Sequence, residues 1–556
     1  MSNPQLTLTR YDIWDLNNGN IPAFPVANPP GWDDVSLYYA KALKEMGWQA
    51  SPDGNTDVTS MWPYSDAPNT YFFQAAMHWW PQYQGTPPAP YDERWSHCTH
   101  GPASAEQYFL AWHRAFIYFF EVIVRSHVAD LGGPANWALP YWNYSYYDDS
   151  DPSAPGAPWV RSNLPWVFSQ TQLPDGSPNP LYIGDTSKRG LQPDWPGSAE
   201  TMFLETMTPY YDQAYGFADF NDFNQTLDGQ PHGAVHVDTG SGDQQVTQGG
   251  WMTSTVTASF DPVFWLHHSE IDRFWAGWNA AGNATPTDPT WLAAQDDPLL
   301  ATRWNFWADG NLANKIVVHP GQMVDPANLA APFPYSYGYQ SLPTIPAPTT
   351  SGTAQTAAAS VARATAPAAS GVPRATAPAA AARPLAARRV LQASAAPAGG
   401  SAAELGQQPV TMPVPVATQA HTAAAQLAEA PSGAEPPRVI LRLEGITADG
   451  PPGNYEIYLN YPQADRGTAG SVPHYVGLLA GFGADHHHDH GDGGGDAQHG
   501  LSARYDITAV VAYLRTHGGW DEAQASVTFV PAARPRAGFQ LMTSGLRIAS
   551  ITIETR

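Results

Sequence analysis

A single cysteine in 556 residues, Cys98, excludes any disulfide within the chain. Basic residues are scarce as well. Lys and Arg number 26 against 50 Asp and Glu, a formal charge of -24, so nucleic acid and anionic membrane surfaces would be repelled. No stretch is apolar for long enough to span a bilayer, and the start, MSNPQLTLTRYDIWDLNNGN, has neither the basic opening nor the apolar run of a signal peptide. The expectation is a cytoplasmic protein acting on a small neutral molecule.

Residues 343–436 lack aromatic side chains almost entirely and run in Ala, Pro, Thr and Ser, as in TAQTAAASVARATAPAAS. Such composition buries too little apolar surface to offset its ordering entropy, which predicts a disordered linker. It divides the chain into an aromatic-rich, mainly helical region over 1–342 and a carboxyl-terminal region over 437–556. The latter alternates apolar and polar residues in RVILRLEGI, NYEIYLNYP, HYVGLLAGF, QASVTFVPA and LRIASITIE. Short alternating runs predict a β-sandwich, with YDITAVVAYLRTHG as a lone helix. Arg363, Arg374, Arg383, Arg388 and Arg389 are candidate cleavage sites in the linker.

Histidine carries the chemical signal. In PHGAVH, His232 and His236 stand four apart, on one face of a helix where both imidazoles can meet one metal. In FDPVFWLHHSEIDRFWAGW, Asp261 and Pro262 open a helix whose stripe of Phe264, His268, Ile271, Trp275 and Trp278 faces inward. His267 falls off that stripe and reads as a neighbour that orients or packs. In AEQYFLAWHRAFIYFFEVIV, His113 shares a stripe with Phe109, Leu110, Phe116, Phe120 and Val124. His97, Cys98 and His100 lie upstream, and His78 follows YFFQAAM. Three helices with inward histidines point to a metal site. The near absence of carboxylate on the same stripes argues against di-iron and for copper, with zinc as the alternative.

HCTH followed by FLAWHRAFIYFFE, together with PHGAVH and FDPVFWLHHSEIDRFW, resembles the tyrosinase, catechol oxidase and haemocyanin group of binuclear copper proteins. The resemblance spans roughly residues 70–280 and implies a four-helix bundle around two copper ions. It assigns His78, His100 and His113 to the first copper and His232, His236 and His268 to the second. The position usual for the second ligand is Ser104 here, so His100 takes that role across an insertion. Cys98-Thr99-His100 looks like the Cys-x-His of fungal tyrosinases, which implies a Cys98–His100 thioether, with His97 the competitor for that place.

The resemblance implies oxidation of phenols and ortho-diphenols, and of ortho-aminophenols, to ortho-quinones by O2. Relatives hold a water with a Glu and with an Asn that follows the first ligand of the second copper. Asp228 and Gly233 occupy those places here, so diphenol oxidation should outpace monophenol hydroxylation. Thr255 falls where relatives carry a gate residue. LEGI, YEIYLNYP, GSVPH and RIASITIETR resemble the carboxyl-terminal domain of plant polyphenol oxidases, which implies a shield that leaves the enzyme latent. DHHHDHGDGGGDAQH, residues 485–499, reads as a polar loop with solvated histidines. An oxygen carrier of the haemocyanin kind is the rival reading.

Overall fold

The computed structural model describes residues 6–48, 67–79, 107–144, 164–185, 188–191, 214–240, 250–294, 304–343, 401–415, 438–450, 453–468, 472–484, 500–520, 524–532 and 545–555. The amino-terminal region is helical. Its elements include α1 (Ile13–Asn17), α2 (Asp34–Glu45), α3 (Tyr71–Ala76), α4 (Phe109–Asp130), α5 (Phe220–Leu227), α6 (Ala234–Gly240), α7 (Val263–Ala280) and α8 (Pro289–Ala293). Local chemistry sets several of the starts. The Asp33 carboxylate accepts the Ser36 N–H at 2.9 Å ahead of α2, and Asp261 accepts the Val263 N–H at 3.0 Å at the start of α7. Asp261 is itself paired with Arg189, both fully buried, so the cap is anchored in the interior.

In α4 and α7 the expected inward stripes are buried, and so is nearly everything between them: Phe109 to Glu121 in one helix and Val263 to Trp275 in the other. These two helices pack against each other at the centre of an aromatic core in which Phe120 stacks on Trp265 at 3.6 Å. The strand β1 (Leu6–Arg10) crosses this core, and its partner comes from far along the chain. Two short strands, β2 (Asn305–Phe306) and β3 (Ile316–Val317), precede that partner, β4 (Tyr335–Tyr339), which pairs in parallel with β1. The pairing places Arg10 against Glu121 of α4 and Asp272 of α7. Arg114 also bonds Asp272, and Arg273 holds Glu270 at 2.7 Å. Each of these buried charges has a partner of opposite sign, as burial requires.

The carboxyl-terminal region contributes β5 (Ser401–Glu404), β6 (Val410–Pro415), β7 (Val439–Ala448), β8 (Tyr455–Leu459), β9 (Tyr475–Leu479), β10 (Leu501–Asp506), α9 (Thr508–Thr516), β11 (Gln524–Pro531) and β12 (Leu546–Thr555). They form two antiparallel sheets, in the orders β10-β7-β12-β5 and β6-β11-β8-β9. Val439, Leu441 and Ile553 from the first sheet share one apolar core with Ile457, Val527 and Phe529 from the second.

Residues 401–415 correct the expected linker, which was drawn to 436. Both strands there lie on sheet edges, where β6 tolerates Pro413 and Pro415 because an edge strand does not need every N–H. Among the described residues, no helix is long and apolar enough to cross a membrane.

Candidate metal centre

Five of the six histidines expected as ligands are described, and all five come together, buried. His78 sits just past α3, His113 lies in α4, His236 in α6 and His268 in α7. His232 lies in a wide turn, Asp228–Gly233, that precedes α6 and is interrupted by the extended Gln230. The expected single helix through PHGAVH is therefore a turn joined to a helix, yet the His232 and His236 rings still meet at 4.6 Å. His100, Cys98 and His97 lie outside the described residues, as does the histidine-rich stretch 485–499.

Two groups of ring nitrogens gather within 4.8 Å. One is His78, His113 and His268, and the other is His232, His236, His267 and His268. Main-chain carbonyls orient four of these rings through Nδ1. His78 bonds Thr255 O at 2.8 Å, His113 bonds Phe109 O at 2.8 Å, His232 bonds Asp228 O at 2.9 Å, and His236 bonds Met252 O at 3.0 Å. A carbonyl can only accept, so each Nδ1 carries the proton and each Nε2 keeps its lone pair for a metal. Nε2 of His236 lies 3.3 Å from Nε2 of His268, and the His113 and His268 rings stack at 4.4 Å. Such crowding of imidazoles suits a cation between them. Burial, and then the neighbouring histidines, push the His268 imidazole well below its ordinary pKa, which keeps it neutral as a ligand must be.

Among the described residues the donors are imidazoles alone. Glu121 and Glu270, the carboxylates nearest in sequence on α4 and α7, are taken by Arg10 and Arg273. The donor set therefore fits copper better than a di-iron pair. His267 is fully buried within the second group, beyond what its position off the stripe suggested. Its Nδ1 is bonded to the Tyr144 hydroxyl at 2.9 Å, and its ring lies parallel to that of His232 at 5.3 Å. If Tyr144 donates, the remaining His267 proton sits on Nε2, and that nitrogen cannot compete with His268 for a metal.

The structure places Asp228 beside His232, with Oδ1 3.2 Å from Nδ1 and a side chain 14% exposed. Thr255 is buried; its carbonyl orients His78, and its hydroxyl makes no hydrogen bond among the described residues. Gly233 faces the carboxyl-terminal domain.

Sequence reasoning missed Phe482. It follows β9, and its ring stacks on His236 at 3.8 Å and 9°, with its edge toward His232 at 5.5 Å. In HYVGLLAGF nothing distinguishes it from a core aromatic. A cavity of about 40 Å³ remains beside it, lined by Asp228, Gln230 and Gly233 from one domain and Leu479, Ala480 and Phe482 from the other. That is room for water and not for a phenol ring.

Polar contacts hold the two domains around this point. Gln230 donates to Tyr505 at 3.1 Å, Arg504 pairs with Asp222 at 2.6 Å, and Asn454 donates to Asp238 at 3.1 Å. Burial pushes the Asp238 carboxyl up to about 7.

Residues 68–281 match the family model for the common central domain of tyrosinase, and 394–547 match a domain of unknown function, DUF7868. The tyrosinase HcTyr1 of Hahella sp. (strain CCB-MM4) is 27% identical over 515 residues, covering 90% of this chain and 94% of that one. A haemocyanin of Enteroctopus dofleini, G-type, is 26% identical over 254 residues, which is 43% of this chain and 8% of that one. Latent apple tyrosinase shares the fold over 100% of this chain and 98% of its own, with a TM-score of 0.55 at 17% identity. With the histidine groups where the matched domain runs, residues 68–281 carry the common central domain of tyrosinase, and the likenesses to tyrosinases and polyphenol oxidases support an oxidoreductase of that type 3 copper kind.

Proposed function

We propose that the chain uses O2 to oxidise ortho-diphenols, and ortho-aminophenols, to ortho-quinones at a dicopper centre set in a four-helix bundle. In this reading α3, α4, α6 and α7 supply the bundle. His78 and His113, with His100 as the third ligand, hold one copper; His232, His236 and His268 hold the other. Copper bound there would supply O2 activation and accept the electrons of the phenol. The protein fixes Nε2 of His78, His113, His232 and His236 through a carbonyl on Nδ1 and surrounds the metals with Phe109, Phe116 and Phe264, which exclude water.

The observation that carries this reading is the convergence of five buried imidazoles, four of them oriented so that the metal-facing nitrogen is unprotonated. Asp228 is the group in reach to hold a water that takes a phenolic proton. Its Oδ1 already faces His232 Nδ1, and Gly233 supplies no amide beside it. Monophenol hydroxylation should therefore lag behind diphenol oxidation. Near-equal turnover of a monophenol and its matching diphenol would contradict that preference.

The intact chain is latent in this reading, because Phe482 occupies the place over His236 that a phenol ring needs. Metal analysis combined with turnover of a catechol tests the assignment. Two coppers per chain and quinone formation are expected. Zinc in place of copper, or reversible O2 binding with no catechol turnover even after the linker is cleaved, would replace the oxidase with a zinc protein or an oxygen carrier of the haemocyanin kind.

A further inference from the structure

The turn that carries His232 is also the surface on which the carboxyl-terminal domain is seated. Gln230, two residues before His232, donates to the Tyr505 hydroxyl, which in turn donates to the Leu478 carbonyl at 3.0 Å, four residues before Phe482. Two residues after His236, Asp238 receives the Asn454 amide, whose oxygen accepts the Gly481 N–H at 3.4 Å. The loop 478–482 is thus braced from both ends of the same ligand-bearing segment.

Between these braces lies Gly233. A Cβ built on it would come within 3.0 Å of the Ala480 Cβ and 3.4 Å of the Phe482 Cβ. The first approach is tighter than ordinary side-chain contacts, and Ala480, with no rotatable side chain, can give the needed few tenths of an ångström only by moving its backbone.

We propose that Gly233 is a positioning residue for the shield, and that its missing side chain sets how deeply Phe482 sits over His236. This rests on the latency reading above. It also accounts for glycine at a position where the family resemblance expects Asn. An Asn there would serve monophenol chemistry, but its Cβ would press against the segment that closes the site.

The test is a size-compensation series in the intact, copper-loaded chain. Gly233→Ala should lift the loop, and Ala480→Gly in the same chain should remove the atom it meets. Two quantities are read for each variant. One is catechol turnover before cleavage as a fraction of turnover after cleavage within 344–400, which cancels any direct effect of the substitution on chemistry. The other is amide hydrogen exchange of the 478–482 segment, which does not depend on activity.

Gly233→Ala should raise the uncleaved fraction about fivefold and speed the exchange, Gly233→Asn should do both more strongly, and Gly233→Ala with Ala480→Gly should return both to the parent values. If cleavage activates the parent but Gly233→Ala stays as latent and as protected as the parent, the inference is overturned and latency stands. If cleavage leaves the parent's turnover unchanged, the latency reading fails. The exchange series then decides the seat alone: faster exchange reversed by Ala480→Gly upholds it, and unchanged exchange overturns it.

Discussion

The helical region and the β region are stabilised by different means. The first is aromatic and threaded with buried ion pairs: Arg10 with Glu121, Arg114 with Asp272, Arg189 with Asp261, and Arg273 with Glu270. Every one joins residues whose side chains are at most 3% exposed. The second has an aliphatic core shared by two sheets, and ion pairs such as Arg442 with Glu444 and Arg547 with Asp449 lie in solvent. Surface pairs of that sort contribute little, whereas losing one partner of a buried pair is costly. The difference suggests a rigid metal cradle and a separately cored cover. Among the described residues the two are joined by the Phe482 ring, by Ile440, Leu478 and Ala480 packed against the helical core, by one partly buried ion pair and by several hydrogen bonds.

The contrast can be broken most strongly from within the cradle. Arg189→Met leaves Asp261 buried without its cation, so the helical region should lose about 3–5 kcal/mol of stability, read as an earlier thermal transition, while unfolding of the β region stays put. A single transition moving as one would mean the two regions are not independently cored.

Phe482→Ala probes the joint. Removing a buried ring and its stack should raise turnover of the intact chain roughly ten- to a hundredfold and leave the cleaved enzyme unchanged. Tyr144→Phe stays inside the cradle. By freeing His267 to change tautomer, it should weaken copper binding about tenfold in a chelator competition while the intact-to-cleaved ratio holds constant. The smallest effect is expected of Arg504→Ala, which removes the partly buried pair with Asp222. Turnover of the intact chain should rise about fivefold, and high salt should bring the parent chain part of the way to the same value.

What could be read in advance follows the same division. Strands β7, β8, β9, β11 and β12 announce themselves by short runs rich in apolar residues; β12 buries Leu546, Ile548, Ile551 and Ile553 between more exposed neighbours, whereas β8 and β9 are buried at nearly every residue. The strand β10, LSARYD, buries only Tyr505 and so shows no alternation. The edge strands β5 and β6 are hidden in Ala- and Pro-rich surroundings that resemble linker, since an edge strand needs neither full hydrogen bonding nor strong β-formers.

In the cradle, His113, His232, His236 and His268 were legible from helical stripes and motif spacing. What no local pattern encodes is contact between distant segments. Tyr144 meets His267 from 123 residues away, Thr255 orients His78 through its carbonyl, and Phe482 reaches His236 from the other domain. A stripe argument also loses force on α7, because a helix buried on every side presents no single inward face.

The most direct test compares the copper-loaded chain, intact and after cleavage within 344–400, on one catechol under identical conditions. The account predicts two coppers per chain in both forms and a marked rise in quinone formation on cleavage. Unchanged or lower turnover in the cleaved, fully loaded protein would contradict it.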